Sequence, residues 1–208
     1  MDDPAKEIAQ VVNLVTAAVN PDIQKAAVLK YYAPDATFRH PLCTVAGGPG
    51  SRDIILGILQ WYRVMSPHLK IEVRGVTYNA SKNELFVEVV QEFHIRWNPF
   101  PVAPARLMVH LVLRPSDDDP RLYQIALHED FYHPSDIAAL IVPPLIPIVK
   151  LLQQFGTVAS VINARVFGLF GFWSTSTDKG KAVDAAAQTQ GTTDSSHANG
   201  DGTKYKTD

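Results

Sequence analysis

Between positions 69 and 132 the chain reads as four runs of alternating apolar and polar residues separated by short gaps. That pattern permits few folds. In segment 69–78, Leu69, Ile71 and Val73 fall on one side, and Lys70, Glu72 and Arg74 on the other. A period of two marks a half-buried strand. The turn 79–83 leads into a long run, 85–97, whose Leu85, Val87, Val89, Phe93, Ile95 and Trp97 share one face. Phe86, Glu88, Val90, Glu92, His94 and Arg96 share the other. The proline-rich loop 98–104, a strand 106–114, an acidic turn 116–120 and a strand 122–132 follow. Gaps this short leave no room for crossovers, so the predicted strands pair as an antiparallel meander.

Three helix patterns precede the strands. Asp3-Pro4 reads as an N-cap with proline at the first helical position, and Ile8, Val11, Val12 and Val15 continue at helical spacing to about Val19. Asn20-Pro21 repeats the signal before Ile23, Ala26, Ala27 and Tyr31, and Pro34 stops that helix. The stretch 33–41 is extended, and the glycine-rich segment 47–50 is a loop. Ser51 is the expected N-cap of a third helix carrying Ile54, Ile55, Ile58, Leu59, Tyr62 and Met65 and ending before Pro67. Helices gathered on one face of such a sheet predict an α+β cone. Three N-terminal helices pack on a curved, four-to-six-stranded antiparallel sheet around an internal cavity.

From position 137 the character changes. The run 137–149 has no charged residue, and Pro143, Pro144 and Pro147 are expected to break any helix through it. Lys150 and Arg165 are the only charges between Ile137 and Trp173. From Ser174 the composition collapses to small and polar residues, which predicts a disordered tail. The expected organisation is a cone domain, 1–134, an apolar arm, 135–173, and the tail, 174–208.

Hydrophobic residues make up 46% of the 208, enough for a core, and the net charge of −2 offers no basic excess for nucleic acid. Cys43 is the only cysteine, which excludes a disulfide framework and a thiolate zinc site. The acidic start MDDPAKE lacks a secretory pattern, so a reducing compartment facing cytosol is expected. No Ser-His-Asp order, glycine-rich phosphate loop or metalloprotease motif is present, and no cofactor is implied.

Tyr32-Ala33-Pro34-Asp35-Ala36-Thr37, followed by His40-Pro41, resembles a signature of the nuclear transport factor 2-like superfamily, which includes ketosteroid isomerases and SnoaL-type polyketide cyclases. The run 127–134, LHEDFYHP, together with the apolar arm, is similar to the fungal SigF-type subgroup. The resemblance covers roughly residues 5–134. It implies that His40 stands where the isomerases of the superfamily carry a catalytic aspartate. The fold hosts many unrelated functions, so the resemblance speaks to architecture first.

The candidate catalytic residues are His40, His128 and Asp130. His40 would shuttle a proton at the mouth of an apolar cavity, or sit hydrogen-bonded in the helix–sheet joint. With the loop 98–104 joining strands that pair near Trp97 and Arg106, His94 is expected almost opposite His110, with His128 diagonal to it, and these rings with a carboxylate would suit a transition metal. The commoner arrangement is histidine paired with carboxylate, with Asp130 orienting His128, so no metal is assigned. Candidate ligand contacts are Tyr31, Tyr32, Phe38, Trp61, Tyr62, Phe93, His94 and His110. Candidate membrane contacts are Ile141, Val142, Pro143, Pro144, Leu145, Ile146, Pro147, Phe167, Phe170 and Trp173. They would form a proline-bent hairpin or an interfacial helix, or the arm would fold back on the domain.

Three functions fit. The first is a non-catalytic domain that binds a small hydrophobic molecule and is held on the cytoplasmic side of the endoplasmic reticulum membrane or on lipid droplets. The second is an isomerase or cyclase of a hydrophobic polyketide or terpenoid, with His40 as base. The third is a homodimer joined through the outer sheet face.

Overall fold

The computed structural model describes residues 1–172; Trp173 and the expected disordered tail lie outside them. Helices α1 (Pro4–Thr16) and α2 (Pro21–Tyr31) begin at the anticipated caps. Asp3 Oδ1 accepts from the Lys6 amide at 3.3 Å, and Asn20 Oδ1 from the Ile23 amide at 2.9 Å. Each cap answers one of the four orphan amides at a helix start, worth about 1 kcal/mol. α1 stops at Thr16 rather than near Val19. The Ala17 amide closes on Asn13 O, and Val19 is exposed, with no core to hold a further turn.

Strand β1 (Tyr32–His40) runs into β2 (Cys43–Val45), and helix α3 (Ser51–Met65) follows. Gly50, at φ +80°, takes the N-cap position expected of Ser51. The Ser51 hydroxyl instead donates to Ala36 O at 2.7 Å, which ties the start of α3 to β1. Strands β3 (Lys70–Asn79), β4 (Glu84–Glu92), β5 (Pro104–Pro115) and β6 (Tyr123–Tyr132) form the predicted meander. The sheet has six strands in the order β2-β1-β6-β5-β4-β3. One pairing is not antiparallel: β1 lies parallel to β6, with Phe38 opposite His128. The chain passes through β2, α3 and the strands β3, β4 and β5 before β6 returns to β1, a separation that local alternation does not register.

β4 ends at Glu92, five residues before the predicted Trp97. Two backbone donors leave the sheet there for the end of α3: the His94 amide donates to Ser66 Oγ and the Arg96 amide to Met65 O. Helices α1 and α3 contact β3 and β1, and α2 packs on both other helices. Ile8, Val11, Val28, Ile55, Phe38, Leu85, Val87, Leu111 and Ile125 are fully buried between helices and sheet.

After β6, helix α4 (Pro134–Ile141) packs on β5. A single 3-10 turn (Pro143–Leu145) precedes helix α5 (Ile146–Leu169). Pro147 does not break α5. It stands at the second helical position, where a missing amide costs nothing. The chain forms two compact units, Met1–Gln153 and a second from Gln154.

Candidate functional site

The inward positions of β6 are every second residue, His128, Asp130 and Tyr132, paired with Leu111, Val109 and Leu107 of β5. On the other side, β1 presents Phe38 and His40 inward. With α3, β4, β5 and α4 they line a cavity of about 230 Å³. Its wall is chiefly apolar, including Leu59, Val89, Leu107, Val109 and Leu140. Polar groups gather along β1, β6 and their neighbours: His40, His128, Asp130, Tyr132, Tyr62 and Gln91.

A hydrogen-bonded chain runs into this wall from behind. The Tyr32 hydroxyl lies 2.5 Å from His128 Nδ1, and His128 Nε2 lies 3.0 Å from Asp130 Oδ1. A carboxylate only accepts, so Nε2 carries the hydrogen and Nδ1 accepts from Tyr32. Burial, reinforced by the Asp130 charge, pushes the Tyr32 hydroxyl far above its ordinary value and keeps it a donor. Asp130 Oδ2 has no protein partner among the described residues and is available at the cavity wall.

His40 is held differently. Its Nδ1 accepts from the Leu42 amide at 3.2 Å. Burial lowers its pKa; the Asp130 charge opposes this and His128 adds to it. The ring is therefore neutral near pH 7, with its hydrogen on Nε2, pointing no donor at any described protein acceptor. The Tyr132 oxygen accepts from Gln91 Nε2 at 2.7 Å, and burial raises its pKa, so its own O–H stays a donor. His40 sits edge-on to Tyr132, with ring centroids 5.4 Å apart. The Tyr62 hydroxyl lies 3.3 Å from Cys43 Sγ, and its pKa too is raised by burial. The wall thus offers a free carboxylate oxygen beside neutral donors.

Of the sequence-predicted residues, His40, His128, Asp130, Phe38, Tyr62 and Phe93 meet at the cavity. Tyr32 stands behind the wall and holds His128. Tyr31 is core, with the Lys30 ammonium 4.9 Å over its ring, and Trp61 is exposed on α3. Neither reaches the cavity, nor do His94 and His110. β4 ends before His94, and Phe86, not His94, pairs with His110. His110 stacks on Phe86 on the opposite sheet face, 3.8 Å from Glu129. It pairs with Glu129, one residue from His128, and one step along a strand reverses the face. Among the described residues no three His, Cys, Asp or Glu side chains gather to hold a metal.

Sequence reasoning missed Gln91, Tyr132 and α4. Gln91 had a signal: it is the polar break in the inward series Leu85, Val87, Val89, Gln91. Ile141, read from sequence as a membrane contact, lines the cavity, and Leu140 beside it is buried. Ile146 packs with them against Ala105 and Ala139. Val142, Pro143, Pro144, Leu145 and Pro147 lie in the partly exposed stretch that follows. Phe167 and Phe170 are exposed on α5, and Trp173 is outside the described residues. Pro143–Leu169 is long and apolar enough to cross a membrane, with mean hydropathy 1.5. At 100° per residue, Lys150, Gln153, Gln154, Thr157, Ser160 and Arg165 fall within about 140° of one another, and the rest of the circumference is mainly apolar.

Residues 1–172 match the SigF NTF2-like domain family. No curated protein is similar to the chain in sequence to a significant degree. Among solved structures, a putative SnoaL-like polyketide cyclase from Jannaschia sp. CCS1 is 14% identical with TM-score 0.50, over 68% of this chain and 97% of that one. A protein of ketosteroid isomerase-like fold from Catenulispora acidiphila, in complex with trimethylamine, is 20% identical with TM-score 0.47, over 63% and 91%. An NTF2-like protein of unknown function from Burkholderia pseudomallei is 13% identical with TM-score 0.48, over 64% and 96%.

Proposed function

The chain belongs to the SigF NTF2-like domain family, and from that premise we propose that it binds a small, mainly apolar molecule in the cavity by one polar end. The observation that carries this reading is the grouping of Asp130, His40 and Tyr132 on one side of an otherwise apolar enclosure. A few polar groups placed in an apolar pocket orient a ligand and set its specificity. At about 230 Å³ the cavity falls below the usual range for drug-sized ligands, which favours a small one. The ligand would donate to Asp130 Oδ2 and accept from His40 Nε2–H or the Tyr132 hydroxyl.

The exposed apolar face of α5 supports a second element of the same reading, a lipid-associated domain on the cytoplasmic side of the endoplasmic reticulum membrane or on lipid droplets. Because the polar residues of α5 form one stripe, the helix suits the interfacial plane better than a span. Native mass spectrometry of the purified full chain tests the binding. A bound small molecule lost in Val109→Phe, which fills the cavity, supports it; identical spectra from both proteins refute it.

A specific observation favours catalysis as the alternative. The Tyr32–His128–Asp130 chain orients a carboxylate at the wall, as proton transfer requires. In that reading Asp130 is the base, not His40. His40 Nδ1 is already engaged by the Leu42 amide, which leaves His40 to donate from Nε2. Proton exchange into a carbon acid of matching size, abolished in Asp130→Asn but retained in His40→Asn at reduced rate, would select this reading over simple binding.

A further inference from the structure

We propose that the rim of the cavity docks on a lipid surface and that the ligand enters from the membrane rather than from water. This rests on the ligand-binding reading above and names the source and class of the ligand: a bilayer-dissolved molecule with one hydrogen-bonding end.

The rim is built from two segments. Residues 93–103 supply Phe93 and Ile95 to the cavity wall, then expose Trp97 at 66% and Phe100 at 40%. Helix α4 supplies Leu140 and Ile141 to the same wall. Asn98 Nδ2 donates to Ile141 O at 3.3 Å, so the aromatic loop and the end of α4 are fastened together where both reach the cavity. Leu42, which also lines the cavity, is 59% exposed. A half-exposed aliphatic side chain that is at once cavity wall and outer surface marks an opening.

The scarcity of charge favours lipid over water or a strongly charged partner. Between Phe93 and Ala105 the only charged residue is Arg96, and between Ile137 and Phe172 the only ones are Lys150 and Arg165. Neither stretch contains a carboxylate. An exposed tryptophan between Arg96 and Asn98, with Phe100 exposed nearby, suits the headgroup boundary, where its ring is buried and its N–H stays wet. Five residues after Ile141 the exposed apolar helix α5 begins, so the same end of the chain carries a second lipid-seeking surface. Docking of this rim puts the opening of the cavity against the acyl region, and an apolar ligand moves between the two without crossing water.

The test uses the full chain with Trp61→Phe and Trp173→Phe, so that Trp97 alone reports, and phosphatidylcholine vesicles containing brominated acyl chains. Quenching of Trp97 by the brominated lipid is expected. Flotation of the protein with vesicles while Trp97 stays unquenched overturns the proposal, because α5 would then bind without the rim. A dimer that separates in Trp97→Ser, with no quenching, also overturns it and assigns the rim to a second copy.

The second arm follows transfer of phenylnaphthylamine, a small apolar fluorophore, from vesicles to the protein. Trp97→Ser/Phe100→Ser is expected to slow transfer by at least about tenfold, because two aromatic anchors are withdrawn from lipid. Its affinity for the probe in vesicle-free solution should be unchanged. Transfer at the parent rate overturns the membrane route. If the parent protein does not take up the probe at all, the cavity reading fails and entry from the membrane falls with it, while Trp97 quenching still decides whether the rim docks.

Discussion

Tyr32→Phe is the sharpest probe of the polar chain behind the cavity. Tyr32 is fully buried, and its hydroxyl is 2.5 Å from His128 Nδ1. Phenylalanine keeps the ring, so packing changes little and no cavity opens. What is lost is one hydrogen bond, and what is left is a buried ring nitrogen with no donor. An orphaned buried acceptor costs about 1–3 kcal/mol. Part of this is offset because the hydroxyl no longer has to be desolvated, so the expected loss is about 2 kcal/mol. That is a fall of roughly thirtyfold in the folded-to-unfolded ratio. With a urea slope of about 2 kcal/mol/M, the midpoint moves down by about 1 M. The assay is urea unfolding followed by circular dichroism, repeated in a His128→Leu background. There Tyr32→Phe removes an orphaned hydroxyl instead of creating an orphan, so it should be neutral or stabilising. A midpoint shift under about 0.2 M in the parent background, or equal costs in both backgrounds, would refute the chain as described.

The lowered pKa of His40 predicts a pH dependence. Its folded value lies below the ordinary value of about 6.5, so between the two the unfolded chain binds more protons and stability rises with pH. Stability from this residue is complete above about pH 6.5 and is lost as pH falls toward the folded value. His40→Asn, whose oxygen still accepts from the Leu42 amide, should flatten the slope of urea midpoints between about pH 5 and 7; an unchanged slope contradicts it. Gly47→Ala should destabilise by about 1–3 kcal/mol, because its Cβ would meet Thr37 Oγ1 at 2.6 Å and Asp35 O at 2.8 Å, and the second contact is backbone. Thermal melting checks this, and an unaltered midpoint argues against so close a loop. Phe155→Glu/Ile162→Glu/Val166→Glu places three charges on the apolar face of α5 and should weaken flotation with vesicles without changing the folding midpoint. Undiminished flotation would remove α5 from the lipid-binding reading.

Three helices, four strands and the α+β class were all legible, because caps, prolines and the two periodicities are local properties. Asp3-Pro4 and Asn20-Pro21 start helices by satisfying their own amides, and Leu85, Val87 and Val89 face inward because a strand alternates. His40, His128 and Asp130 could be selected as candidates because they are titratable residues on elements whose inner faces are apolar. Their partnership could not be read, since Tyr32 and His128 are 96 residues apart and meet only through the parallel β1–β6 pairing. Register decided the rest. One step along β6 separates His128, inside, from Glu129 beside His110, outside, so the imagined histidine cluster never forms. The stop of β4 at Glu92 was likewise tertiary, since the donors that end it are taken by the last residues of α3. The apolar stretch after Ile137 divided for the same reason: composition marks all of it as seeking a nonpolar surround. Only packing against β5 gave Leu140 and Ile141 to the cavity and left the face of α5 uncovered. Sequence determined which residues shun water; the tertiary structure decided which of them find the protein's own interior.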